Sequence, residues 1–214
     1  MENKSKWMTV LFIGSLWGFL EATLGGLLHL LPFPIAGRIM APIGFALMFW
    51  GMKNGLKAHQ LFCVSLIAAS FKFFDFFLFH LPIFHISIVN PSQAIAMQGL
   101  CFAAVSSLFR KYEQSWQGTA LTALPLYSVS WFLFAFNSSM VFQHKAGPSL
   151  ANLSKSAEGL IVGTVLSAVV LSLSRVLLSR RGVGVEHKYS WRLQLAATSI
   201  LAALAVMMRS ILHS

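Results

Sequence analysis

Seven stretches of the chain, at about 7–31, 35–51, 59–80, 91–109, 118–142, 150–178 and 193–212, are apolar for close to the length of a bilayer-crossing helix. About 30 Å of hydrocarbon takes roughly 20 such residues. The pattern predicts an all-α fold, a polytopic transmembrane helical bundle of six or seven helices. The second run is short. The sixth is long and opens on the polar residues Asn152, Ser154, Lys155 and Ser156, so the count stays at six or seven. Composition points the same way. Only 10% of the 214 residues are charged and 57% are hydrophobic, too few charges to coat a soluble sphere, which uses about a quarter. Residues 1–214 read as a single integral membrane domain with no separate soluble part. The short basic start, 1–6, resembles the first region of a signal peptide. The run behind it is too long, and no small-residue cleavage site interrupts it before Glu21, which predicts a retained first helix.

Charge placement predicts the orientation. One set of connecting segments carries Lys4, Lys6, Lys53, Lys57, Arg110, Lys111, Arg180, Arg181, Lys188 and Arg192, whereas the alternate set carries Arg38, Lys145, Lys155 and Arg209. Basic loops stay in the cytoplasm, so the N-terminus is expected inside and, with seven spans, the C-terminus outside. Trp7, Trp50, Trp116 and Trp191 fall at the same boundary, where amphipathic rings prefer to sit. This describes a multi-pass protein of the cytoplasmic (inner) membrane. Its net charge of +10 is spread between apolar runs, which points to the headgroups of membrane lipids as partners and not to nucleic acid. Cys63 and Cys101 lie inside apolar runs and read as small core residues. Asn90-Pro91 reads as a helix start, with Asn as cap, and Pro125 is expected to kink the fifth helix.

An ionisable group at the centre of a spanning helix costs at least about 2.5–3.5 kcal/mol, so each calls for a reason. Glu21, Lys72, Asp75 and Glu158 all fall in the outer half of the bundle. Asn90, Ser92, Gln93, Asn137, Asn152, Lys155, His29, Arg38, His80, His85 and His144 lie in or near it. The inner half has almost nothing comparable. The segregation predicts a polar cavity open to the outer face, with Glu21, Arg38, Lys72, Asp75, Asn90, Gln93, Asn137 and Glu158 as candidate substrate contacts. Lys72 and Asp75, three apart, can satisfy each other, as can Lys155 and Glu158. Glu21 has no such local partner: it either faces the cavity or locks helices through Lys72 or Arg38. His80 and His85 are the weak metal candidates, but without a tight ligand spacing no metal or other cofactor is expected.

Small residues recur every fourth position at Gly14, Gly18, Ala22 and Gly26, and again at Gly159, Gly163 and Ser167. Such ladders let a second helix approach closely. They read as seams within the bundle or, for the first, as a surface for a partner helix. The outer connections, LPFPIAG at 31–37 and HLPIFHISIVN at 80–90, are apolar and fit lids folded over a cavity.

The segment GSLWGFLEATLGGLLHLL followed by PFPIAGRIMAPIGF, with the outer polar cluster and the first small-residue ladder, resembles the substrate-binding S components of energy-coupling factor transporters. The resemblance is architectural and carries no substrate signature. It implies a small-molecule uptake subunit whose partners are a coupling membrane subunit and ATPases, with Gly14, Gly18, Ala22 and Gly26 as the docking ladder. The chain has no GxxxxGK[ST] loop, so ATP hydrolysis would belong to those partners. Two other readings stay open. One is a membrane-embedded enzyme using Glu21 or Asp75 as acid or base, although no GxSxG or HExxH motif is present. The other is a structural or assembly subunit in which the polar residues only hold helices together.

Overall fold

The computed structural model describes residues 2–29, 36–74, 76, 80, 82–112, 115–140 and 153–181. Among these residues the chain is all-helical, with no strand. The long helices are α1 (Glu2–Leu20), α2 (Ala36–Lys53), α3 (Ala58–Ser70), α4 (Ile86–Tyr112), α5 (Trp116–Met140) and α6 (Leu153–Arg181). They occupy the first six apolar runs. The seventh, 193–212, lies outside the described residues, as do Trp191 and most of the 31–37 connection.

Four of the helices are long and apolar enough to cross a membrane, over Lys4–Gly25, Ile86–Tyr112, Trp116–Ser138 and Ala157–Leu178. The helix at Ala58–Phe73 is apolar but shorter. Around the bundle α1 packs on α3, α3 on α4, α4 on α5, α5 on α6 and α6 on α2, while α2 also touches α1 and α4. The ring is therefore closed, with α2 reaching across its interior. Leu121, Phe132 and Phe136 of α5 and Ile161, Val165 and Leu173 of α6 point outward and are exposed. A helix in water would turn such residues inward.

The interior is packed with aromatic rings. Phe45 and Phe49 of α2 meet Phe102 and Phe109 of α4, with Phe102 and Phe109 stacked 5.2 Å apart and Phe49 edge-on to Phe109 at 6.0 Å. Trp17 of α1 is fully buried with its indole on Gly44 of α2, where any added Cβ would overlap it. Close approach is thus set by glycine at the contact. The same rule explains the first ladder. An added Cβ at Gly14 would press on Ile67 of α3, one at Gly18 on Phe71, and Ala22 packs on Phe71 as well. Gly14, Gly18 and Ala22 therefore face the chain's own third helix and the short 3-10 turn Phe71–Phe73 behind it. The surroundings of Gly26 lie outside the described residues.

The basic segments gather at one end. There α2 stops in a left-handed Gly55 (φ 79°), with Gly55 N–H donating to Met52 O and Leu56 N–H to Gly51 O. This closure satisfies the last carbonyls of the helix, and only glycine adopts that backbone without a Cβ penalty. Lys57 N–H then donates to Gln60 Oε1 to open α3, and the Arg110 guanidinium donates to Leu56 O. Trp7 lies against His59, ring centroids 6.4 Å apart, and Trp50 is edge-on to Phe12.

Three local expectations need correction. Asn90-Pro91 does not start a helix: α4 begins at Ile86, and Pro91 lies inside it. The start is organised earlier, where His85 N–H donates to Pro82 O and Ser87 N–H donates to His85 Nδ1. A proline so near the N-terminus interrupts few helical bonds, and the Ser92 hydroxyl takes up the Ile88 carbonyl at 2.7 Å. The 80–90 connection is accordingly shorter than expected, since 86–90 are helical. Finally, the first apolar run is not one uniform α-helix. It passes through a π turn at Glu21–Gly25 before a last turn at Gly26–His29.

Candidate functional site

The π turn determines how Glu21 is presented. A regular helix buries one stripe, yet Glu21, Ala22, Thr23 and Gly25 are all buried here. The wider turn shifts the stripe and brings the carboxylate inward. Thr23 Oγ1 donates to Phe19 O at 2.8 Å and so ties the side chain to the turn before it. The carboxylate leans over Gly25, where an added Cβ would stand 3.3 Å from Oε1 and 3.7 Å from Met40 of α2. Turns of this kind occur often at functional positions.

Glu21 and Lys72 meet. Their charged atoms are 3.8 Å apart, and the side chains are 10% and 3% exposed. Lys72 sits in the Phe71–Phe73 turn at the end of α3, so the pair joins α1 to α3. Of the two roles open to Glu21, locking helices through Lys72 is the one this geometry displays. Asp75 lies outside the described residues.

A second polar group lies where α4 leaves its first turns and α5 ends. Asn137 Nδ2 donates to Gln93 Oε1 at 3.1 Å. Among the described residues, Gln93 Nε2, Asn90 Oδ1 and Ser138 Oγ are each buried without a hydrogen-bond partner. Buried polar atoms are seldom left unpaired, because each forfeits a partner it would have in water. The three atoms lie on two neighbouring helices, near the Gln93–Asn137 hydrogen bond, and between them can donate and accept. Ser92, close by, is satisfied by Ile88 O and Ala69 O and serves as a link between α4 and α3.

Arg38, in the first turn of α2, lies over Gly159 of α6, where an added Cβ would stand 2.8 Å from Nε. Glu158, the neighbour of Gly159, is exposed. His80 is exposed in a left-handed conformation (φ 49°), and His85 Nδ1 is 2.6 Å from Ser87 Oγ. Among the described residues no group of three His, Cys, Asp or Glu is placed to hold a metal ion. Cys63 is half-buried and Cys101 buried, both free.

The fold thus brings Glu21 to Lys72, Gln93 to Asn137, and Arg38 to α6, and leaves Glu158 outside these contacts. Sequence reasoning missed Ser138 and Tyr127. Both sit in an apolar run with no charge to flag them. Tyr127 could have been found through Gly163, since its ring lies flat on that glycine of the second ladder. Comparison with protein-family models, with curated proteins and with solved structures finds no match to this chain.

Proposed function

We propose that this chain is a multi-pass subunit of the cytoplasmic membrane, with six or seven spans, that binds a small molecule in its outer half for uptake energised by partner subunits. The observation that carries this reading is the trio of unpaired buried atoms, Asn90 Oδ1, Gln93 Nε2 and Ser138 Oγ, beside the Gln93–Asn137 hydrogen bond. Unpaired buried atoms are a cost to groups that only hold helices together, and a bound ligand would satisfy them. The opposite half is filled by Phe45, Phe49, Phe102 and Phe109, which fits a site that opens at the polar end alone. The likeness to S components of energy-coupling factor transporters supplies the kind of partner, a coupling membrane subunit with ATPases. The ladder Gly14, Gly18 and Ala22 is occupied by α3 and Phe71, so on this proposal a partner docks on another face.

One specific observation favours structural glue at one place. The Glu21–Lys72 pair acts as a lock between α1 and α3.

Two experiments test the proposal. Ser138→Ala removes a buried hydroxyl that lacks a partner. It is expected to stabilise the ligand-free protein by about 1 kcal/mol and to weaken ligand retention. A destabilised protein with retention unchanged would assign Ser138 to helix packing. Orientation is read in a Cys63→Ser/Cys101→Ser background with an impermeant maleimide on intact cells. Glu158→Cys is expected to label at once, and Lys57→Cys only after permeabilisation. The reverse pattern would put the polar end in the cytoplasm and remove the uptake reading.

A further inference from the structure

The polar groups described so far leave one cation unexplained. Arg38 is half-buried, its guanidinium pressed against Gly159, and among the described residues it has no carboxylate and no hydrogen-bond acceptor. Glu21 is engaged with Lys72, and Glu158 is exposed. The chain as a whole is short of anions, with six Asp and Glu against sixteen Lys and Arg.

Tyr127 stands next to it. Its side chain comes from α5 and lies on Gly163, one turn along α6 from Gly159. Residues four apart on a helix share a face at roughly 6 Å, so guanidinium and phenol end lie side by side on one glycine platform. Tyr127 is only 7% exposed. A guanidinium offers five N–H donors in a planar fork, and a phenol hydroxyl offers one more. Donors held side by side on two glycines, with no acceptor for the Arg38 fork among the described residues, match the needs of an oxyanion. The first turn of α2, which carries Arg38, adds the positive end of an 18-residue helix.

We propose that Arg38 and Tyr127, on the Gly159–Gly163 platform, bind a carboxylate or phosphate group of the ligand. The inference rests on the uptake reading and narrows its substrate class to an anion, with Gln93, Asn90 and Ser138 left to read the neutral polar part. The same oxyanion chemistry is offered by a lipid phosphate, and the test separates the two sources.

The full chain in a neutral detergent is titrated with sodium phosphate, with sodium acetate, and with dioctanoyl phosphatidic acid. Ionic strength is held with chloride and thermal unfolding is the readout. Saturable stabilisation by phosphate or acetate is expected. Arg38→Gln should abolish it, and Tyr127→Phe should weaken binding roughly tenfold, the loss of one hydrogen bond to a charged group. Gly159→Ala keeps the charge but displaces the guanidinium, and should lose the response even if Arg38→Gln does not fold. A response to phosphatidic acid alone, with the same variant pattern, would keep the oxyanion site and assign it to a lipid headgroup. Equal responses in wild type and Gly159→Ala, or none to any anion, would overturn the proposal. Failure here is distinct from failure of the uptake reading. A neutral molecule retained by the wild type and lost with Gln93→Leu would leave that reading standing without an anion site.

Discussion

Lys72→Met is expected to destabilise the bundle by about 3–5 kcal/mol, the usual consequence of stranding one member of a buried ion pair. Lys72 is 3% exposed, and Glu21 is buried with Lys72 as its ion-pair partner. The carboxylate left behind would have to remain charged in a dry site or take up a proton at a cost. The double variant Glu21→Gln/Lys72→Met removes both charges. It should recover the part of the loss that comes from the stranded carboxylate, because two neutral groups of similar volume need no counterion. Unfolding by sodium dodecyl sulfate titration, run on the wild type, both singles and the double, gives the coupling directly. Additive losses would mean that the two side chains do not act as a pair.

Gly44→Leu is the second large effect, at about 3 kcal/mol or more. The indole of Trp17 occupies the space into which any Cβ at residue 44 would extend, and Trp17 has no exposed surface through which to move away. Overpacking of that kind usually costs about 1–3 kcal/mol, and a fully enclosed indole places this site at the upper limit. Displacing the ring also changes its surroundings, so a shifted tryptophan emission should accompany the lost stability. An unshifted spectrum with normal stability would mean that α1 and α2 are not in contact at Trp17.

The helices were legible because their signal is long and one-dimensional: an apolar run of fixed length needs no knowledge of its neighbours. The gathering of Glu21, Arg38, Lys72, Gln93 and Asn137 at one end was also legible, since alternating helices convert sequence position into depth. Contacts between helices were not. That Glu21 meets Lys72, and that Gly14 and Gly18 are covered by Ile67 and Phe71, depends on which helices become neighbours, and periodicity is silent on that order. The start of α4 was misplaced because Pro91 looks like a first-turn residue. The signal that begins the helix is the Pro82–His85 turn, with hydrogen bonds that no composition rule weights. The π turn escaped for a similar reason. It responds to the burial of consecutive residues and leaves no residue of its own as a marker.

The most direct test of the binding claim is native mass spectrometry of the protein extracted gently from its own host, wild type beside Gln93→Leu. A small molecule is expected to be retained on the wild-type chain, together with coupling and ATPase subunits, and to be lost from the variant while the chain stays folded. A bare chain in both samples, with neither ligand nor partner, would contradict the claim. Asn90, Gln93 and Ser138 would then be helix-packing groups.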